Sequence, residues 1–282
     1  MRIRLSAVVL TGTGSALLLV AAIAGQATHV STTPKAAPKA APKAAPRAAA
    51  KAAPKAPARS APARNTTVDG GPATTRIPPA GAAGPKLHRG DHGAEVKALQ
   101  QRLVDLGYDP GAADGRWGPA TSFAVWAFQK VNHIKPASRT SARFWSAFAA
   151  PRTPKPLVPR GAGDRAEVDV KHQLLYVYKN GRLVLTSHIS SGSEQYYSSQ
   201  GHTGFAHTPR GNFRVYRKAA GWETSPLGTL YKANYFDGGY AIHGEPSVPL
   251  RPASHGCVRV PMSTSTIVAK LLPIGTRVYV RG

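Results

Sequence analysis

Ser254-His255-Gly256-Cys257-Val258-Arg259 is the stretch that decides how this chain is interpreted, because it holds the only cysteine among 282 residues. A second histidine-glycine pair, His243-Gly244, lies upstream of it. A thiol becomes a nucleophile when a nearby base removes its proton, since the thiolate is the reactive form. One cysteine surrounded by histidines and glycines therefore predicts a catalytic thiol. A buried, inert cysteine is the alternative, although glycine and polar neighbours are unlike an apolar core site.

The residues that follow the cysteine predict a short strand beside a cleft. Val258 and Val260 alternate with Cys257 and Arg259, and successive side chains of a strand point to opposite faces. If the valines face the core, the cysteine and the arginine share the other face, toward a cleft. Arg259 then either binds a substrate carboxylate through two hydrogen bonds or pairs with an acidic residue of the protein itself.

Two histidines compete for the role of base. His243 ends the strand-like run Tyr240–His243, where side chains open into loops, and we therefore expect it to be the base. His255 either supports the site by hydrogen bonding or is structural, because a thiolate needs only one base. Backbone N–H groups around Gly256 and Cys257 are candidate donors to an oxyanion, since glycine lets such amides approach closely.

The N-terminal part of the chain predicts export. Arg2 and Arg4 precede an apolar stretch that ends near Gly25-Gln26-Ala27, a small-x-small cleavage pattern, so we assign residues 1–27 to a signal peptide. Threonine, glycine and serine at 11–15 interrupt the apolar stretch, which favours cleavage over a membrane anchor. The formal net charge is +24. We expect a secreted or cell-wall-associated protein whose partners are anionic wall polymers or lipid head groups, not nucleic acid.

Residues 28–86 are rich in proline, alanine and lysine, and proline recurs at every fourth position from Pro34 to Pro46. Proline at that spacing prevents a regular helix, and few large apolar side chains are present to form a core. We predict a disordered, extended linker. It is either a passive solvated tether or a cationic tether that holds the protein in an anionic wall.

Residues 87–150 predict a small bundle of three helices. Apolar residues recur at helical spacing from Val96 to Leu106, and a second helix is predicted from Pro119 to Asn132. A third short helix contains the aromatic run Phe144–Phe148. The prolines of residues 151–163 then mark a stiff linker.

Residues 164–282 predict a mainly β domain with one late helix over residues 263–272. Asn180-Gly181 between strand-like runs is a strong signal for a two-residue hairpin turn. The segment Ser193–His207 is either a mobile flap over the cleft or an exposed loop. Further strand candidates are Phe213–Tyr216, Thr229–Tyr235, Tyr240–His243, Val258–Val260 and Arg277–Val280. The predicted fold class is multidomain, with a small all-α three-helix bundle followed by a mainly β domain.

The helical region resembles the peptidoglycan-binding three-helix domain along nearly its whole length. The residues that carry the likeness are Leu87–Gly93, Leu99-Gln100, Leu106-Gly107-Tyr108, Asp114–Thr121 and Phe128-Gln129. The resemblance implies attachment to the peptidoglycan of the cell wall without catalysis.

The β region resembles the L,D-transpeptidase catalytic family. The motif residues are His243-Gly244 and Ser254–Arg259, and supporting matches are Val168-Asp169-Val170, Asn180-Gly181, Ile189–Gly192 and Thr208–Phe213. The resemblance implies a monomeric cell-wall enzyme that acts on peptidoglycan stem peptides and requires no metal or other cofactor.

The same resemblance implies roles for the motif residues. Cys257 is the nucleophile, His243 takes its proton, and Gly244 orients the imidazole through its carbonyl. His255 and Gly256 are further catalytic candidates, and Arg259 and Ser254 are substrate-binding candidates. The thiol would form a thioester with one stem and release a terminal D-amino acid, and the side-chain amine of a second stem would then make a cross-link. With water as the acceptor, the same site would be an L,D-carboxypeptidase.

Two rival functions come from other classes. A zinc peptidase would need close histidine and carboxylate ligands, but the chain has no His-Glu-x-x-His motif, and its best metal-like pair is His202 and His207. A non-catalytic wall-binding protein would have no need of a lone exported thiol. Covalent labelling of the thiol by a carbapenem, which the resemblance implies, would distinguish an enzyme from a binding protein.

Overall fold

The computed structural model describes residues 84–199 and 201–282. The predicted signal peptide, 1–27, lies outside the described residues, and so does the predicted linker, 28–86, as far as residue 83. Both therefore stay predictions. Within the described residues, no helix combines the length and the apolar character that crossing a membrane requires.

Three helices form the first part of the described chain. They are Ala94–Asp105 (α1), Pro119–Val131 (α2) and Ala142–Ala149 (α3). Pro119 opens α2, where its missing N–H would have had no helical partner, and the Ser141 hydroxyl caps α3 by accepting a 3.1 Å hydrogen bond from the Phe144 N–H. Leu103 and Phe128 are fully buried in the shared core. The predicted three-helix bundle is confirmed.

The second part is mainly β. Its strands are Arg165–Asp169 (β1), Leu174–Lys179 (β2), Arg182–His188 (β3), Tyr196–Ser199 (β4), His202–Phe205 (β5), Gly211–Arg214 (β6), Arg217–Lys218 (β7), Trp222–Ser225 (β8), Gly228–Asp237 (β9), Tyr240–Gly244 (β10), Val258–Val260 (β11) and Arg277–Arg281 (β12). The late helix, Met262–Leu271 (α4), lies between β11 and β12. The predicted fold class is confirmed.

Two sheets enclose the core of the β part. One has the strand order β3-β2-β1-β12-β6, and the other has the order β11-β10-β9-β7 with β8 also paired to β9. Fully buried side chains such as Val168, Ile242 and Val258 fill the space between the sheets. Asn180 and Gly181 have φ angles of 49° and 77°, the left-handed conformation of a tight hairpin turn between β2 and β3, as predicted.

The segment Ser193–His207 contains a hairpin that the sequence analysis missed. Strands β4 and β5 pair antiparallel within it, from Tyr196 opposite Phe205 to Ser199 opposite His202. Of the two predicted alternatives, the exposed loop is thus replaced by a hairpin that lines the cleft, and the mobility of a flap stays a prediction. The run Tyr-Tyr-Ser-Ser does not alternate apolar and polar residues, so the pattern on which strand prediction rests is absent there.

The helical and β parts belong to one compact unit. The core of the bundle continues onto β2, where Leu174, Tyr176 and Tyr178 pack against it. A carboxylate oxygen of Asp109, in the loop after α1, accepts hydrogen bonds from the hydroxyls of Ser263 at 2.8 Å and Thr264 at 2.7 Å. These residues form the first turn of α4, and a carboxylate is stabilising there because the N-terminus of a helix carries partial positive charge.

A second polar link joins α2 to the β part. The Lys130 ammonium donates to the Gln173 carbonyl at 2.9 Å and lies 2.8 Å from Nδ1 of His188. Nε2 of His188 lies 3.0 Å from the Val248 carbonyl. A carbonyl can only accept, so Nε2 carries the proton and Nδ1 accepts from Lys130. The link therefore requires a neutral His188.

His188 makes the fold sensitive to acid. Burial, and secondarily the positive charge of Lys130, lower its pKa to about 3, whereas an unfolded histidine titrates near 6.5. Between these values the unfolded state binds more protons than the folded state, so stability is lost as pH falls. We expect the free energy of unfolding, measured with urea, to decrease by up to about 1.4 kcal/mol for each pH unit over this window.

A variant isolates the contribution of His188 to this acid sensitivity. We expect His188→Gln to flatten the dependence of unfolding free energy on pH between 6 and 4, because glutamine does not titrate. His92→Gln, at an exposed position, is the control for histidine replacement. Equal slopes for the native chain and His188→Gln would contradict the prediction.

Candidate active site

A cleft of about 750 Å³ lies against the β10–β11 pair, on the face that carries the side chains of His243 and Arg259. The β4–β5 hairpin, the β8–β9 hairpin and the turn before β11 form its other walls. Five of the predicted site residues line it, namely Cys257, His243, His255, Arg259 and Ser254. Gly244 and Gly256 lie behind this lining, in β10 and in the turn.

Strand pairing brings the thiol and the imidazole to one face. β10 and β11 are parallel neighbours, with His243 opposite Arg259. Val258 and Val260 are fully buried in the core, whereas Cys257 and Arg259 are half-buried and line the cleft. The alternation predicted from the sequence is confirmed.

His243 is held as a neutral base. It is 4% exposed, and its Nδ1 lies 3.0 Å from the Gly244 carbonyl. Because the carbonyl can only accept, Nδ1 carries the proton and Nε2 has a free lone pair. Burial, and secondarily the charge of Arg259, lower the pKa of His243 to about 4. At neutral pH the imidazole can therefore accept a proton.

The thiol of Cys257 is protonated at rest. Burial raises its pKa, and the Ala241 amide and the charge of Arg259 oppose that effect. The Sγ atom lies 3.7 Å from the Gly239 carbonyl, to which the S–H donates a weak hydrogen bond. At neutral pH the cleft therefore holds a protonated thiol and a neutral imidazole.

The turn that presents Cys257 is braced by Ser254. The Ser254 hydroxyl donates to the Cys257 carbonyl at 2.6 Å and accepts from the Gly256 N–H at 2.9 Å. The Gly256 N–H is thus engaged and does not point to an oxyanion, which corrects that part of the prediction. Ser254 lines the cleft but is only 3% exposed and is bonded within the turn, so its predicted contact with substrate stays a prediction.

Comparison with known proteins identifies the family. A model of the L,D-transpeptidase catalytic domain matches residues 163–280, and a model of a peptidoglycan binding domain matches residues 92–136. The crystal structure of an L,D-transpeptidase from Xylanimonas cellulosilytica DSM 15894 is 41% identical, with a TM-score of 0.66 over 71% of this chain and 99% of that chain. The chain belongs to the L,D-transpeptidase family.

A second solved structure, an L,D-transpeptidase (Yku) from Stackebrandtia nassauensis, is 25% identical to this chain and has a TM-score of 0.41. That match covers 70% of this chain and 95% of the other. No curated protein matches the chain significantly. Both family resemblances inferred from the sequence are confirmed.

Thr208 supports the turn before Cys257, a role that was not predicted from the sequence. Its hydroxyl donates to the Gly256 carbonyl at 2.7 Å and accepts from the Gly192 N–H at 2.9 Å. Its side chain is fully buried. Thr208 lies within one of the stretches that resemble the family, but its bond partners are distant in sequence, so no local pattern could have revealed the role.

His255 lies against the β4–β5 hairpin. Its ring centroid is 4.6 Å from that of Tyr197, and burial lowers its pKa. Among the contacts described for residues 84–199 and 201–282, no hydrogen bond joins His255 to Cys257. A catalytic role for His255 thus stays a prediction, and its observed contact is with the wall of the cleft.

The positively charged side chain of Arg259 lines the cleft. Its backbone N–H and carbonyl pair with Ser190 at 3.0 and 3.1 Å. Within the described part of the chain, no carboxylate lies within 4.0 Å of its guanidinium. Of the two predicted roles, pairing with an acidic residue is therefore not observed. The positive charge of Arg259 adds to the effect of burial in lowering the pKa of His243 and His255. It partly offsets the rise that burial causes in the pKa of Cys257.

The zinc alternative rests on His202 and His207. In the described ranges, no group of three or more histidine, cysteine, aspartate or glutamate side chains is placed to hold a metal ion. His202 instead lines the cleft from β5, and the ring of His207 is stacked on that of Phe205, 6.1 Å away.

Proposed function

We propose that this protein cross-links peptidoglycan stem peptides through a thioester on Cys257. Family membership and a peptidoglycan-binding domain support action on the cell wall. The observation that carries the reaction is that a protonated thiol and a neutral imidazole whose Nδ1 is bonded to the Gly244 carbonyl line one cleft together with Arg259.

In the first step, Nε2 of His243 accepts the thiol proton as Sγ attacks the carbonyl carbon before the terminal D-amino acid of a stem. The amide C–N bond breaks, His243 returns the proton to the leaving amine, and a thioester remains. The Gly244 carbonyl stabilises the imidazolium that forms transiently. The Cys257 N–H, in the turn braced by Ser254 and Thr208, is the proposed donor to the oxyanion.

In the second step, a side-chain amine of another stem attacks the thioester carbon. His243 accepts its proton, the C–S bond breaks, and the sulfur recovers the proton as a new amide bond forms. Arg259 binds a substrate carboxylate, because a guanidinium with no acidic partner among the described residues suits bidentate binding of a carboxylate. His255 forms part of the cleft wall and needs no proton-transfer role here.

The cellular setting is also part of the proposal. Export by residues 1–27 would place the enzyme in or near the wall, and the basic segment 28–86 would contact anionic wall polymers. The enzyme would act there as a monomer.

Mass spectrometry of disaccharide-tetrapeptide wall fragments incubated with the protein tests the function. We expect a cross-linked dimer that has lost one terminal D-alanine. His243→Gln should slow its formation by about 10²–10⁴-fold, since glutamine cannot act as the base. Loss of D-alanine without a dimer would show water as the acceptor, and unchanged fragments with folded protein would contradict an enzyme.

A further inference from the structure

Glu245 is a carboxylate in the cleft that the proposed reaction does not use. It follows β10, and its N–H donates to the Val260 carbonyl at 3.0 Å, so the pairing with β11 continues to this residue. Glu245 is two positions after His243, with Gly244 between them, which places both side chains on the same face. Glu245 is half-buried and lines the cleft together with His243, Cys257 and Arg259.

Four charged side chains other than histidine line the cleft, and two of them, Arg217 and Glu223, are paired with each other. Arg217 and Glu223 form an ion pair at 2.6 Å. Within residues 84–199 and 201–282, neither Arg259 nor Glu245 has an oppositely charged partner within 4.0 Å. Burial raises the pKa of Glu245, which Arg259 and the Ser247 amide partly offset. A half-buried carboxylate without a partner is costly unless a ligand supplies the cation.

The strand register orders these groups along one line. Arg259 lies opposite His243, Cys257 lies on one side of that pair, and Glu245 lies on the other. A strand rises about 3.3 Å per residue, so Glu245 lies about 6.6 Å beyond His243 along β10. Cys257 lies two positions on the other side of His243, so Cys257 and Glu245 are about 13 Å apart along the strands, a distance that an extended acyl residue on Sγ and the Glu245 side chain can span together.

We propose that Glu245 binds the side-chain ammonium of the acyl-donor residue. The preferred donor is thus a stem whose diamino acid carries a free, charged amine at the end of its side chain, and Glu245 is a specificity-determining residue. This inference rests on the proposed function, because it assumes that the diamino acid becomes the acyl group on Cys257. Charge complementarity favours this ligand, since the open carboxylate lies on the far side of His243 and Arg259 from the thiol.

The test compares two synthetic tetrapeptide donors, one with a free side-chain amine and one with that amine acetylated. Formation of the thioester on the full chain is followed by mass spectrometry of the intact protein. We expect the native chain to favour the free-amine donor in kcat/KM. Glu245→Gln should reduce that preference by about 10–100-fold, the range for a hydrogen bond between charged groups. Glu245→Asp, which keeps the charge, should restore part of it.

Glu223→Gln is the matched control, because Glu223 lines the same cleft but is already paired with Arg217. It should keep the preference for the free amine. If the native chain forms thioesters with both donors and Glu245→Gln leaves their ratio unchanged, the role of Glu245 is overturned while the function stands. If the native chain forms a thioester with neither donor, both fail. An effect of Glu245→Gln confined to the acceptor would also overturn the assignment to the donor.

Discussion

Replacing Cys257 with alanine is expected to abolish cross-linking and covalent labelling by a carbapenem, with little change in stability. No other cysteine exists in the chain, so no second thiol can form the thioester. The Sγ atom donates one weak hydrogen bond, 3.7 Å long, to the Gly239 carbonyl, and Cys257 packs only at the edge of a small apolar cluster, so loss of the sulfur atom disturbs the packing little. Mass spectrometry of the intact protein should detect the adduct on the native chain and none on the variant.

The thermal unfolding midpoint of Cys257→Ala shows whether activity is lost because the thiol is missing or because the protein no longer folds. We expect the midpoint of Cys257→Ala to lie within a few degrees of the native value, because the turn is held by Ser254 and Thr208 and not by the thiol. Cross-linking that persists in folded Cys257→Ala would refute the thiol as the nucleophile.

Replacing Gly256 with alanine is expected to remove activity by displacing the thiol. A Cβ at this position would lie 2.4 Å from a ring carbon of Tyr240 and 2.5 Å from the His207 carbonyl. The φ angle of 136° is also one that residues with a side chain rarely adopt. The backbone at residue 256 must therefore shift, and the turn that carries Cys257 shifts with it. We expect a loss of unfolding free energy of about 1–3 kcal/mol and a fall in kcat of at least about 100-fold.

Gly221→Ala is the control for this substitution. A Cβ there would meet no heavy atom within 4 Å, and the backbone is outside the left-handed region. Activity and urea unfolding of both variants would be measured side by side. Native activity in Gly256→Ala would show that the turn tolerates the displacement and would contradict the argument.

The packing of the helical bundle onto the β part bears on how wall binding relates to catalysis. Asp109 reaches the first turn of α4, and Lys130 connects through His188 to the Val248 carbonyl. Val248 lies in the segment between His243 and Cys257. The peptidoglycan-binding domain is thus bonded directly to the first turn of α4, and through His188 it is linked to the segment that joins the proposed base to the proposed nucleophile.

Much of the fold was predictable because its signals are local. Apolar spacing indicates α1 and α2, and Asn180-Gly181 favours a turn with positive φ angles. The alternation of Cys257 with Val258 predicts which side chain reaches the cleft, since the period of a strand is two residues. The β4–β5 hairpin was missed because its residues carry no such alternation.

The amino-acid sequence by itself determined the single thiol, its candidate base His243, the two family resemblances and the alternation that exposes Cys257. Only the tertiary structure decided that the Ser254 hydroxyl accepts a hydrogen bond from the Gly256 N–H. It also decided that Arg259 has no acidic partner in the described residues and that Glu245 shares a face with His243. The physical reason is that periodicity and φ preference act between neighbours in sequence. Hydrogen-bond partners, burial and pKa instead depend on groups that folding brings together from distant parts of the chain.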